Sequence, residues 1–236
     1  MIGTLLKFAV IALVTIPVAL LEIVLSFVDR SGASFHAVGR FWSWMILRLY
    51  GIRVSVEGKE HLNPSESYIY VSNHASMFDI PAVLVGIPDQ IRIVLKKELT
   101  RIPFFGWAMA LGPYIVIDRF HAKDAARSLD QAAVRMRNGA SVLLFAEGTR
   151  TLDGKLQPFK RGAFALASKS GVPIIPVAIN NTFRILPKGS RIVRPAHITL
   201  VLGRPIPTQG ISGKQAEMKL MEEVHQAIAE NYVDQS

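Results

Sequence analysis

His74 follows Asn73 directly, and Asp79 lies five residues further on. An imidazole takes up a proton near neutral pH, and a carboxylate within reach can fix its tautomer and stabilise the charge it gains. The pair sits where an apolar run, Tyr68 to Val71, gives way to polar residues. A strand ends and a helix begins at such a break, and ligands of open α/β sheets bind beyond such strand ends. Taken alone, the pair is better read as a loop histidine beside a helix-capping Asp or Ser. Three other apolar runs also end in charge: at Lys96-Lys97-Glu98, at Asp118-Arg119 and at Glu147-Gly148-Thr149-Arg150. If these runs are parallel strands of one sheet, their carboxyl ends share a rim and the clusters converge. A histidine, two carboxylates (Asp79 and Glu147) and several cations on one rim suit an anionic substrate, because the guanidinium fork matches phosphate.

Other chemistries lack their motifs. There is no Walker loop and no Gly-x-Gly-x-x-Gly, so a nucleotide cofactor is not indicated. There is no Gly-x-Ser-x-Gly elbow. Ser76 is the serine near His74, and its place in a turn suits a helix cap better than a nucleophile. His74 is then the base for a hydroxyl carried by the substrate. The chain has no cysteine, which removes disulfides, thiolate catalysis and thiolate metal sites. Its 27 basic and 18 acidic residues leave a net charge of +9, which points to phosphorylated substrates, an anionic membrane surface or nucleic acid. No zinc-finger spacing or aromatic-glycine RNA signature occurs, so nucleic acid is not expected.

The elements that must position these residues follow a repeated pattern. Strands are expected at Ile52–Val56, Tyr68–Ser72, Ile91–Leu95, Tyr114–Ile117, Val142–Phe145, Ile174–Ile179 and Ile198–Leu202. Helical stretches fall between them: from Asp79 to Gly86, at Pro103–Trp107, along the Ala125, Leu129, Ala132, Ala133 and Met136 stripe, at Ala163–Ser168, and along Leu220, Met221, Val224, Ala227 and Ile228. Such alternation predicts an α/β fold, a mainly parallel central sheet with helices on both faces.

Composition changes once, near Gly51, dividing residues 1–50 from an α/β domain over 51–236. Ile2 to Val28 is apolar apart from Lys7 and Glu22. The uncharged core, Phe8 to Leu21, has 14 residues, short of the roughly 20 of a full span. No small-residue cleavage site follows it, so the segment is expected to be retained. A turn at Asp29-Arg30-Ser31-Gly32 leads to Phe35–Tyr50, where aromatics stand beside Arg40 and Arg48 as in a headgroup zone. The two stretches predict a membrane-associated helical hairpin in or on one leaflet; the alternative is a signal anchor followed by an ordinary packed helix. Arg30, Arg40, Arg48 and Arg53 after the apolar run place the remainder on the cytoplasmic side.

Four ordered motifs carry a resemblance. Asn73-His74-x4-Asp79 is the first; Gly112-Pro113-Tyr114-Ile115-Val116-Ile117-Asp118-Arg119 is the second. Phe145-Ala146-Glu147-Gly148-Thr149-Arg150-Thr151 is the third, and Val172-Pro173-Ile174-Ile175-Pro176-Val177 the fourth. Over roughly Val56 to Val201 the chain resembles the glycerolipid acyltransferases, most closely the bacterial 1-acyl-glycerol-3-phosphate acyltransferases. It departs from them in Ala146, where they have Pro, and Thr151, where they have Ser. The resemblance implies transfer of a fatty acyl group from an acyl thioester, acyl-CoA or acyl carrier protein, to the sn-2 hydroxyl of lysophosphatidic acid, giving phosphatidic acid. It implies His74 as base, Asp79 as its orienter, and Arg119, Arg150 and Lys97 on the phosphate. Glu147 would hydrogen-bond the glycerol within the Glu147-Gly148-Thr149-Arg150 loop, and Asn73 or backbone amides would steady the oxyanion. No metal and no cofactor beyond the acyl donor is implied. The setting implied is a membrane, the bacterial inner membrane, with membrane lipids as neighbours. Another lysolipid, a lyso-ornithine lipid or a lysophospholipid, is the alternative acceptor. An ester or thioester hydrolase and a non-catalytic binder of anionic lipid are readings from other classes.

Overall fold

The structure is a computed structural model; it describes residues 2–118, 122–137 and 139–234, with side chains described over 6–118, 127–136 and 139–234. Period-two alternation of apolar residues builds the strands and splits them between two cores. In β2 (Ile69–Ser72), Tyr70 faces one core while Ile69 and Val71 face the other. In β5 (Ser141–Phe145), Leu143 sides with Tyr70, and Val142 and Leu144 with Ile69. In β6 (Ile174–Asn180), Ile175, Val177 and Ile179 are on the Tyr70 side, and Ile174 and Ala178 on the other. Strands buried on both faces need helices on both faces.

Those helices are present. On the Tyr70 face lie α1 (Ile2–Val28), α2 (Ala33–Tyr50), α3 (Asp79–Gly86) and α4 (Phe105–Leu111). On the other face lie α5 (Ala122–Arg137), α6 (Gly162–Ser170) and, in the closing segment, α8 (Lys214–Ala229). A short α7 (Thr182–Ile185) follows β6. The remaining strands are β1 (Arg53–Glu57), β3 (Ile91–Lys96), β4 (Ile115–Ile117) and β7 (His197–Leu202). The seven form one sheet in the order β1-β7-β6-β2-β5-β3-β4. All neighbours are parallel except β6 and β7. The expected α/β architecture is therefore present, and the four strands with charged ends, β2, β5, β3 and β4, are contiguous in it.

The compositional boundary at Gly51 is not a packing boundary. Phe35, Ile46, Leu47 and Tyr50 of α2 are buried in the same core as the sheet. Arg40, which the sequence offers as a topology signal, donates to the carbonyls of Val85 and Ile87 at 3.1 and 3.4 Å. It thereby covers carbonyls left free at the C-terminal end of α3. Phe41 and Trp44 remain exposed on the outer side of α2, stacked on each other. Helix α1 packs along α2 and α4 but leaves Leu6, Leu13, Leu20, Val24, Phe27 and Val28 exposed. It is the one helix among the described residues long and apolar enough to cross a membrane.

Candidate active site

β2 delivers His74 just past its carboxyl end, and Asp79 opens α3 beneath it. Asp79 is fully buried. Its Oδ2 accepts three hydrogen bonds, from His74 Nδ1 at 2.7 Å and from the backbone N–H of Ala75 and of Ser76 at 2.8 Å each. A carboxylate that already accepts two amides takes Nδ1–H from the ring, which leaves the lone pair of Nε2 to receive a proton. The imidazole lies flat on Phe145, with ring centroids 4.0 Å apart and planes at 18°. Its rotation is thus limited from the side as well as from below.

The loop after β5 holds the backbone of the same histidine. Glu147 Oε1 accepts the His74 N–H at 2.9 Å, and the His74 carbonyl accepts the N–H of Thr151 at 2.9 Å. Glu147 is buried, and burial pushes its carboxyl up to about 8, opposed by the His74 amide. Glu147 Oε1 is thus taken by the histidine peptide, while the buried Oε2 has no hydrogen-bond partner among the described residues. Asn73 is also held by backbone from a neighbouring strand. Its side chain donates to Ile179 O at 3.0 Å and accepts from Ile179 N at 2.7 Å, tying the end of β2 to β6. One Nδ2–H and the Oδ1 are used in this way, and the second Nδ2–H lies outside the pair of bonds. Ser76 is buried, donates to Leu186 O at 3.0 Å and accepts the N–H of Phe78 at 3.3 Å in the turn before α3; the N-cap position of α3 is Phe78, so Ser76 is not the helix cap expected of it.

The cations divide. Arg150 is half-buried and has no carboxylate within ion-pair distance among the described residues. Lys97 pairs with Asp118 at 3.0 Å at the edge of the rim, so its charge is partly answered. Arg119 lies outside the described residues. Lys188, which no motif singled out, donates to Thr149 Oγ1 at 3.2 Å. It arrives on the segment after α7, a helix entered through Asn181 in a left-handed conformation (φ 72°) that Asn tolerates better than most residues. Gly148 also has a positive φ (75°), and a Cβ there would come within 2.8 Å of the Lys160 side chain. The third motif therefore needs glycine at this position.

Beside His74 opens an apolar cavity of ≈ 670 Å³. Thr149, Arg150 and Lys188 stand with His74 at the strand-end rim, and Tyr50, Trp42, Phe78, Leu84 and Ile93 line the space below. The proton acceptor thus sits between a cationic rim and a hydrocarbon-like interior. Among the described residues no group of three or more His, Cys, Asp or Glu side chains is placed to share a metal ion.

The sequence model of the family described as Acyltransferase matches residues 53–180, more than half of the chain. The chain belongs to the acyltransferase family. The match runs from β1 to the end of β6 and so takes in His74, Asp79, Glu147 and Arg150. Among relatives, the 1-acyl-sn-glycerol-3-phosphate acyltransferase of Pseudomonas aeruginosa is 35% identical over 196 residues, 83% of this chain and 75% of that protein. The chloroplastic enzyme of the same description from Brassica napus is 32% identical over 206 residues, covering 86% of this chain and 58% of that one. The chain spans 53% to 61% of the length of the plant and algal relatives it matches. The crystal structure of the 1-acyl-sn-glycerophosphate acyltransferase PlsC from Thermotoga maritima superposes with a TM-score of 0.81 at 26% identity. It covers 98% of this acyltransferase-family chain and 95% of its own, so the likeness includes the two N-terminal helices.

Proposed function

We propose that the protein is a 1-acylglycerol-3-phosphate acyltransferase, moving a fatty acyl group from acyl-CoA or acyl carrier protein to the sn-2 hydroxyl of lysophosphatidic acid. The observation that carries this reading is the placement of His74: its Nδ1 is held by Asp79 while Nε2 stays unengaged, between Arg150 and an apolar cavity. In the first step Nε2 takes the hydroxyl proton as the oxygen attacks the thioester carbonyl carbon. Asp79 stabilises the imidazolium formed. The tetrahedral intermediate collapses, the C–S bond breaks, and Nε2 returns the proton to the leaving thiolate. The acyl chain occupies the apolar cavity, Arg150 and Lys188 hold the phosphate with Lys97 at the edge of the rim, and Arg119 of the second motif is a further phosphate contact. His74 is the catalytic residue; Asp79, Glu147, Asn73 and Phe145 are positioning residues. The buried, fully bonded Ser76 argues against a hydrolase with a serine nucleophile.

Residues 1–50 serve in this reading as a membrane anchor to the domain over 51–236. Phe8, Thr15, Ala19 and Glu22 face the cavity along most of the length of α1. A helix that lies along its own domain in this way docks into one leaflet rather than crossing the bilayer alone. Arg30, Arg48 and Arg53 support the cytoplasmic side. The test is thiol release by purified protein, with lysophosphatidic acid set against lyso-ornithine lipid and headgroup-bearing lysophospholipids, and acyl-CoA against acyl carrier protein. Turnover greatest with lysophosphatidic acid and absent from His74→Ala is expected; turnover retained by His74→Ala would falsify the mechanism.

A further inference from the structure

A second cavity, of ≈ 420 Å³, opens at the opposite end of the strands and shares no lining residue with the first. Its walls carry three arginines: Arg30 from the turn between α1 and α2, Arg92 from β3, and Arg135 from α5. Arg92 lies four residues before Lys96, the rim end of β3, and so about 13 Å below the rim along that strand. Gly112 and Pro113, which open the second motif, close one side. The packing there is tight: a Cβ at Gly112 would stand 2.5 Å from the Phe35 ring, and one at Gly32 would stand 3.0 Å from Pro113.

The arginine heads are held in place but not neutralised. Arg92 Nη2 donates to Ser31 O at 2.6 Å, and Arg135 Nη1 to Pro113 O at 3.3 Å. A guanidinium has five N–H donors, so both heads keep donors to spare. No carboxylate of a described residue lies within ion-pair distance of Arg30, Arg92 or Arg135. The one carboxylate in the wall, Asp29, already accepts the N–H and hydroxyl of Ser31 and the N–H of Ser34. Burial, and to a lesser degree the Arg135 charge, push the Arg92 pKa down, a cost that a bound anion would offset. Around the cavity the surface is hydrocarbon. Phe27 and Val28, the exposed end of the α1 stripe, directly precede Asp29, and Leu111 of the wall is exposed, with exposed Trp107 one turn earlier on α4.

We propose that Arg30, Arg92 and Arg135 form a second phosphate site, which holds the headgroup of an anionic phospholipid in the leaflet on which α1 docks. The guanidinium forks match the phosphate oxygens, and the lipid's chains lie against Phe27, Val28 and Leu111. Charge and hydrocarbon side by side suit an amphiphile better than a free anion. The choice of lipid over free phosphate rests on the reading of α1 as the docking helix; the site is independent of the acyl-transfer chemistry at His74.

The test is flotation of the full chain with vesicles of phosphatidylcholine alone and of phosphatidylcholine mixed with phosphatidylglycerol. Wild type should prefer the anionic vesicles. Arg30→Gln with Arg135→Gln, both exposed side chains, should cut that preference by at least about 20-fold. Lys214→Gln with Lys219→Gln removes the same charge from exposed positions on α8, on the other face of the sheet, and should change it little. Arg92→Lys keeps the charge but not the fork and should also lose most of the preference; Tm reports whether it folds, and Arg135→Lys replaces it if it does not. If wild type binds both vesicles alike, if the α8 pair costs as much as the pocket pair, or if the lysine variant keeps the full preference, the attraction is diffuse and the proposal falls. Inorganic phosphate at constant ionic strength supplies the other arm. If it raises the Tm of wild type but not of the pocket pair, and no vesicle preference exists, the cavity takes free phosphate and the lipid assignment falls. Turnover of detergent-dispersed lysophosphatidic acid should be unchanged in the pocket pair. A loss there with vesicle preference intact would assign the arginines to turnover and overturn the proposal.

Discussion

Glu147 holds the peptide of His74 and not its ring: Oε1 accepts the His74 N–H at 2.9 Å across 73 residues of sequence. The imidazole itself is left to Asp79, at 2.7 Å. Two carboxylates thus serve one histidine from different strand ends, one fixing where the residue sits and the other which proton it carries. Neighbouring parallel strands allow this, because β2 and β5 end side by side on the same rim.

Burial raises the Glu147 carboxyl from 4.5 to about 8. Between those values the folded chain keeps a proton that the unfolded chain has released. Stability from this group is therefore full below about pH 4.5 and is lost as pH rises through about 8. Denaturant midpoints measured against pH should fall across that window in the wild type, relative to Glu147→Gln. Parallel curves would show that Glu147 does not carry the linkage. Glu147→Ala removes the acceptor for a buried amide and should cost about 1–3 kcal/mol, with a fall in kcat larger than any rise in KM.

Asp79→Asn and His74→Ala should separate positioning from chemistry. Each should lower kcat/KM by roughly 10²–10⁴-fold, the usual worth of a general base. Only Asp79→Asn should also lower stability, by about 1–3 kcal/mol, because three donors share Oδ2 and the buried Oδ1 has no partner to receive an amide N–H. Initial rates beside thermal melts check this. An Asp79→Asn protein that melts like wild type would show that the carboxylate is dispensable to the loop.

The phosphate contacts should rank by what already neutralises each cation. Arg150→Ala should raise KM for lysophosphatidic acid about 10–100-fold, the range for a lost charge-assisted hydrogen bond. Arg150→Lys should recover little, because the planar fork is lost. Lys188→Ala should have a smaller effect, and Lys97→Ala the smallest, since Asp118 already answers that charge. Monoacylglycerol, which lacks the phosphate, should not distinguish these variants from wild type. A Lys97→Ala effect exceeding that of Arg150→Ala would reverse the assignment.

The sheet was legible because period-two patterning and charged strand ends are local signals, and the parallel order follows from helices between strands. His74, Asp79 and Arg150 were legible for the same reason: each stands at the end of an apolar run. For Glu147 and Asn73 the sequence shows the polar group but not the backbone it holds. Residue type shows that a carboxyl or an amide is present, whereas its partner, the His74 peptide or the Ile179 backbone, is a long-range fact of packing. Lys188 gave no signal at all, since Leu186-Pro187-Lys188-Gly189 reads as a turn and reaches the rim only through the left-handed bend at Asn181. The aromatic and basic residues of 35–50 suggested a membrane surface for that whole stretch. Only the outer side, with Phe41 and Trp44, remains available for one, because the inner side completes the core.

Asn73→Ala should behave as a structural variant. It removes both hydrogen bonds to Ile179 and should lower stability by about 1–3 kcal/mol. The KM values for both substrates and the pH profile of kcat should stay near wild type. If instead kcat falls about 10²–10³-fold with no change in melting, Asn73 would be an oxyanion donor and the clamp to β6 would be incidental.

The exposed side of α1 should govern membrane attachment and not turnover. Leu13 and Phe27 are each 71% exposed and lie outside the cavity wall. Burying side chains of this size in the acyl region contributes about 1.5–3 kcal/mol apiece. Leu13→Ser with Phe27→Ser should therefore weaken binding to phospholipid vesicles by at least about 100-fold. Turnover of detergent-dispersed lysophosphatidic acid and the melting temperature should be unchanged, because neither side chain joins the core. Vesicle flotation and detergent assays on one preparation make the comparison. If the double variant still floats with vesicles as wild type does, α1 is not the docking surface, and the exposed aromatics of α2, Phe41 and Trp44, would have to serve in its place.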